Sequence, residues 1–120
     1  MIESLRSLPG FERLSDAALA LVVARSAVRR FEPGQIVLAA DTVAATLLAR
    51  IDGELVDPDG AVACPVFDAP GLLFGLAARK DYRAGPGGFS ALVIAKPHVF
   101  TIVREFPEFV VSLLRHAEAA

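Results

Sequence analysis

Few side chains in this sequence are of the kinds that do chemistry. It has two histidines, His98 and His116, both in the C-terminal segment of the 120 residues. A metal-dependent enzyme built on a β-barrel needs two or three histidines and an acid converging inside it. These two positions assemble no such site, so no metal is expected. The lone Cys64 lies in a strand-like run with no histidine nearby in sequence. A thiol nucleophile needs a base beside it, and Cys64 reads instead as a buried structural thiol. No P-loop, dinucleotide glycine motif or Gly-x-Ser-x-Gly elbow is present. The chain is therefore not expected to be an enzyme.

Charge is the remaining resource. Arg25, Arg29 and Arg30 form one basic cluster, and Arg79, Lys80 and Arg83 form another. The first reads as solvated surface. The second offers two readings: solvated loop charge, or a small anion held near Gly75 and Arg83. With 12 basic and 14 acidic residues the net charge is −2. Nucleic-acid binding normally rests on a strong basic excess, and this chain lacks one.

Whatever these groups do, a folded core must position them. Apolar residues make up 54% of the sequence, enough for residues 1–120 to bury the core of a single domain. No apolar run approaches the roughly 20 residues of a membrane-spanning helix. Glu3, Arg6 and the Pro9-Gly10 pair stand where a signal peptide would need its apolar stretch. The expectation is a cytoplasmic chain without membrane contact, and one cysteine permits no internal disulfide.

Ser15 is a good helix cap, Asp16 suits the positive end of the helix dipole, and Leu14, Ala18, Leu21 and Val22 recur at helical spacing. Leu8-Pro9-Gly10-Phe11 before it reads as a turn that tucks a ring under that helix. From Val28 onward turn signals dominate. Glu32-Pro33-Gly34-Gln35 suits a type II turn, and Asp52-Gly53 is a strong hairpin signal. Pro58-Asp59-Gly60, Pro70-Gly71 and Gly85-Pro86-Gly87-Gly88 mark further turns. Between them Leu47, Ala49 and Ile51 share one strand face, and Leu48 and Arg50 the other. The spacing predicts a mainly β sandwich or barrel. Pro97 then opens a helix with an apolar stripe of Val99, Ile102, Val103 and Phe106, and Pro107 separates it from a last helix.

Taken in order, these pieces resemble the cyclic nucleotide-binding domain family, of which the catabolite activator protein's sensor domain is a member. Leu8-Pro9-Gly10-Phe11 with Leu14-Ser15 resembles the family's opening. Phe31 to Ile36 is similar to its first β-turn, Ile51 to Leu55 to its hairpin, and Leu92 to Phe100 to its last strand and following helix. Pro70 to Gly75 is similar to the run leading into the family's phosphate-binding cassette. The resemblance implies a β-roll (a double-stranded β-helix, jelly-roll-like barrel) flanked by an N-terminal helix and two C-terminal helices.

It also implies where a ligand would sit. The family's cassette runs Phe-Gly-Glu-x-Ala, starting a short helix whose backbone N–H groups face the cyclic phosphate. Its Glu accepts from the ribose hydroxyl, and an Arg in a closing Arg-x-Ala pairs with the phosphate. Here the cassette reads Phe74, Gly75, Leu76, Ala77, Ala78 and then Tyr82, Arg83, Ala84. Leu76 replaces the Glu, which alone costs about 1–3 kcal/mol. Tyr82 replaces the Arg, and Arg83 is displaced by one residue, which in a strand is the opposite face. The expectation is a non-catalytic regulatory module with weakened or lost cyclic nucleotide binding, acting through a protein partner or as a homodimer. The alternative is a sensor for cAMP, cGMP or another small anion in the barrel. Backbone N–H groups from Gly75 to Ala78 are expected to form an anion-binding corner. The apolar Val110, Val111, Leu113 and Leu114 of the last helix are expected to pair two copies, with Phe109 at the edge. The family's transcription factors carry a DNA-binding helix-turn-helix after this domain; residues 1–120 are expected to hold none, so no nucleic-acid partner is expected.

Overall fold

The computed structural model describes residues 5–8 and 11–117, with side chains as far as Leu114. Pro9 and Gly10 of the expected opening turn, and the side chain of His116, lie outside the described residues.

Two long strands organise the fold through the alternation of their side chains, interrupted where their pairing slips. The chain runs α1 (Asp16–Ala24), β1 (Ser26–Phe31), β2 (Ile36–Leu38), β3 (Thr46–Val56), β4 (Val66–Phe67), α2 (Ala69–Phe74), β5 (Tyr82–Ala95), α3 (Lys96–Glu105) and α4 (Glu108–Ala117). The strands form one antiparallel sheet in the order β1-β5-β3-β4, with β2 also pairing β5. Successive side chains on a strand point to opposite faces. Leu47 and Ala49, opposite Ile94 and Leu92, therefore feed one core, which Phe11, Leu14, Val22, Val99, Ile102 and Leu113 complete from the helical side. Leu48 points the other way, into a smaller cluster with Phe31, Leu55, Phe67, Phe89 and Ala91.

The helices begin and end where local chemistry allows. The Ser15 hydroxyl accepts from the Ala18 N–H and caps α1. Pro97 sits in the first turn of α3, and Pro107 separates that helix from α4. The Glu32–Gln35 turn closes through the Gln35 N–H to the Glu32 carbonyl at 2.9 Å.

The expected mainly β roll with flanking helices is the fold observed, its antiparallel sheet rolled but not closed into a barrel among the described residues. Several local expectations are corrected. Asp52-Gly53 is no hairpin: β3 runs straight through it, and the chain reverses instead at Asp57–Ala61, where the Gly60 N–H meets the Asp57 carbonyl. The glycine serves another purpose. Gly53 has φ 76° and faces Gly88 so closely that a Cβ would collide with the Gly88 carbonyl. Gly85–Gly88 is likewise no turn but part of β5, whose pairing jumps from Gly53–Phe89 to Leu55–Ala84. Such bulges bend a strand and increase its twist. A second irregularity between Arg50 and Asp52 leaves Ile51 as the extra residue, so it is exposed rather than sharing the core face of Leu47 and Ala49. Phe109 is not at a helix edge. It is 0% exposed and stacks at a tilt on Phe11 with 5.5 Å between ring centres.

Candidate functional site

The cassette segment is built around a six-residue helix that ends where the family resemblance would have one begin. Asp68 adopts a left-handed backbone with φ 58°, and its Oδ1 accepts from the Gly71 N–H at 3.2 Å to cap α2. Gly71 is pinned by the same contact, because a Cβ there would collide with the Asp68 carboxylate. Gly75 closes the helix with φ 68°, a conformation glycine adopts without penalty. The N–H groups of both Gly75 and Leu76 go to the Gly71 carbonyl, and the Ala78 N–H goes to the Thr42 carbonyl at 2.8 Å. Donors already spent on carbonyls are not offered to an anion. Three of the four N–H groups expected at the anion-binding corner are thus bonded within the chain, and the segment follows the carbonyl end of a helix rather than opening at its N–H end.

A cavity of about 410 Å³ lies beside this segment, within the size range of small-molecule sites. Leu76, Ala77, Ala78 and Tyr82 line it, joined by Arg79 and Lys80. The other expected residues lie outside it. Phe74 is 62% exposed, Gly75 caps the helix beyond the wall, and Ala84 is buried in the smaller cluster. Arg83 turns away: its Nη1 donates to the Gly34 carbonyl at 3.1 Å. Tyr82 takes the inward position and meets Phe67 edge-on, ring centres 4.7 Å apart. Leu72 is buried in the helix-side core and Leu73 packs against it, while Leu76 stays 56% exposed, so these leucines do not together plug the cavity.

A second cavity of about 360 Å³ adjoins the first across Phe67, Asp68, Pro70 and Tyr82. Its wall holds residues that sequence reasoning passed over. Asp57 sits in a turn and accepts from Lys80 Nζ at 2.8 Å. That ammonium, with backbone N–H groups of Ala61 and Asp59, holds the Asp57 carboxyl below its usual range, and Asp57 in turn raises Lys80. Asp68 moves the other way, because burial pushes its carboxyl up and the Gly71 N–H only partly offsets this. Cys64, expected to be buried, is half-exposed on this wall. An Asp two residues before a Pro-Gly pair was the available sign of Asp68 as a helix cap. Among the described residues no group of histidine, cysteine or carboxylate side chains can hold a metal, and no helix is long and apolar enough to cross a membrane.

The rolled sheet with this helical frame is the fold of the cyclic nucleotide-binding sensor domains. Particular structures share it at low sequence identity. The regulatory domain of Toxoplasma gondii PKA, solved with cAMP, matches with TM-score 0.73 and 18% identity over 87% of this chain and 43% of that one. The Thermus thermophilus catabolite activator protein gives 0.72 and 17% over 92% of this chain and 60% of that one. The sensor domain of the regulator DNR from Pseudomonas aeruginosa gives 0.71 and 13% over 99% and 91%. The chain thus spans less than half of the first and under two thirds of the second. No family model matches the sequence, and no curated protein does.

Proposed function

We propose that residues 1–120 form a non-catalytic regulatory module that keeps the cyclic nucleotide-binding fold but has lost the family's grip on the cyclic phosphate, and that it acts through protein contacts. The observation that carries this reading is the state of the cassette backbone. The N–H groups of Gly75, Leu76 and Ala78 are bonded within the chain. The side chains agree with it, since Leu76 cannot accept a ribose hydroxyl and Arg83 is directed to Gly34. The neighbours of known structure are regulatory proteins, which supports a regulatory rather than catalytic role. A cytoplasmic setting fits the same reading.

Calorimetry with cAMP and cGMP is expected to give weak or undetectable binding, and a low-micromolar dissociation constant for either would overturn the proposal. The double variant Leu76→Glu/Tyr82→Arg sharpens it. Two restored side chains are worth on the order of 1–3 kcal/mol each where the rest of a site is present. With three of the four backbone donors from Gly75 to Ala78 spent, no cyclic nucleotide affinity is expected to return. Recovery of binding would mean that the cassette is a sensor with two missing anchors.

The reading extends to assembly as a homodimer through α4. Val111 is 54% exposed there, and Val110 and Leu114 are half-buried, an apolar strip that the module's own core does not cover. Sedimentation at high micromolar concentration is expected to show a dimer, which Val111→Asp should dissociate. A monomer of the parent chain under those conditions rules this interface out.

A further inference from the structure

The adjoining cavity differs from the cassette cavity in one decisive respect. Among the described residues, no arginine, lysine or histidine lines it. Its walls are apolar and aromatic, with Val62, Val66, Phe67 and Tyr82, and its ionisable lining is acidic. Of the two carboxylates, Asp57 is already neutralised by Lys80. Asp68 is not. Among the described residues it has no ion-pair partner, its Oδ1 takes a single backbone N–H, and its Oδ2 accepts no hydrogen bond yet is not sealed from solvent. The residue is also held in a left-handed backbone, one of the sparsely populated conformations that cluster at ligand sites. A carboxylate fixed by its own helix cap, beside two aromatic rings 4.7 Å apart, is a preorganised acceptor in an apolar recess.

We infer that this cavity is a binding site for a small cationic ligand: a planar apolar body with an amidine or amine head, its ring against Phe67 and Tyr82 and its N–H groups on Asp68. Charge decides the class. An anion entering here would meet an unpaired carboxylate and no lining cation, whereas an amidinium can donate two parallel hydrogen bonds to a carboxylate. The volume of about 360 Å³ admits a single ring with a short substituent. Phe67, Asp68 and Tyr82 also line the cassette cavity, but the proposed loss of cyclic nucleotide binding rests on the backbone of Gly75, Leu76 and Ala78, so the two readings are tested by separate titrations and either can fail alone.

The test uses benzamidine and benzoate, two probes of the same ring and opposite charge, titrated into the isotopically labelled chain and followed by backbone amide resonances. Benzamidine is expected to bind saturably, with shifts concentrated at residues 62–64 and 68–71. Benzoate is expected to bind at least about tenfold more weakly, the ratio of one charge-assisted hydrogen bond. Asp68→Asn keeps both the helix cap and the tolerance for a left-handed backbone, and it should cost benzamidine a similar factor. Equal affinity for the two probes, shifts confined to other surfaces, no saturation, or an Asp68→Asn variant that binds benzamidine undiminished each overturns the assignment. The comparison of probes stands even if the variant fails to fold.

Discussion

Adjacent residues of one strand lead into two different interiors. On the helical face, Leu47, Ala49, Leu92 and Ile94 meet Phe11, Leu14, Val99, Ile102, Phe109 and Leu113, and nearly all are inaccessible to solvent. On the opposite face, Leu48, Leu55, Phe67 and Phe89 form a smaller cluster that opens onto two cavities through Phe67 and Tyr82. No charged or polar side chain is fully buried on either side among the described residues. The difference therefore lies in packing rather than polarity. One face is filled because four helices and the opening segment lie on or around it; the other is left partly hollow because no helix contributes a buried residue to its cluster among the described residues. Stability and binding capacity are thus separated by the thickness of a sheet.

The most direct way to break this comparison is a pair of truncations one residue apart. Leu47→Ala should fall near the top of the roughly 2.7–5 kcal/mol range for buried leucines, since its void is enclosed on all sides. Leu48→Ala should fall near the bottom, because the space it vacates lies beside Phe67 and merges with existing hollows that water can enter. Urea melts of the two variants measure the difference, and equal losses would show that the second face is as tightly packed as the first. A smaller effect is expected from Ser15→Ala, which removes the hydroxyl that caps α1 on the filled face. It should cost about 1 kcal/mol in the same melts.

The smallest effect belongs to Asp68, on the hollow face. Its carboxyl ionises at a higher pH in the fold than at the ordinary 3.8 of the unfolded chain. Between those two values the fold holds more of the proton than the unfolded chain does, so this group's contribution to stability falls as pH rises through that window. Asp57 works in the opposite sense, because Lys80 holds its carboxyl low and its contribution is lost as pH falls. The variant Asp68→Asn isolates the first effect. Relative to the parent it should be more stable at pH 7 than at pH 3, read from melts at both values. A difference that does not change with pH would place Asp68 in bulk solvent.

Much of the filled face could be read in the sequence, because helical spacing at Ala18 and Val22 or Val99 and Ile102 reports burial directly. Alternation at Leu47, Leu48 and Ala49 assigned the two faces of β3 as well. The failures share a cause. Asp52-Gly53 and Gly85–Gly88 carry the chemistry of reversals, yet they lie within β3 and β5. Local turn propensity yields there to a partner strand that continues past them, which no short window contains. The cassette was readable in its side chains: Leu76 and Tyr82 stand where a carboxylate and a guanidinium would be needed. Its backbone was not readable, because the bond from Ala78 to Thr42 depends on a loop far away in sequence. The Asp68 wall was missed for a similar reason, since Asp57 and Asp68 become neighbours only through the one cavity they share.

The place of β5 in the sheet also sets a timetable. Among the described residues β1 and β2 pair with β5 and with no other strand, residues 26–31 of β1 lying against 89–94, and β3 has most of its pairing there. A chain emerging from the ribosome would thus carry three strands with open edges until the last of Tyr82–Ala95 had left the exit tunnel. Such pairings between distant segments form slowly, and unpaired edges meanwhile invite contact with other chains. The arginines at 29 and 30, on what becomes an edge strand, would discourage edge-to-edge association in that interval, since they need no partner strand to act.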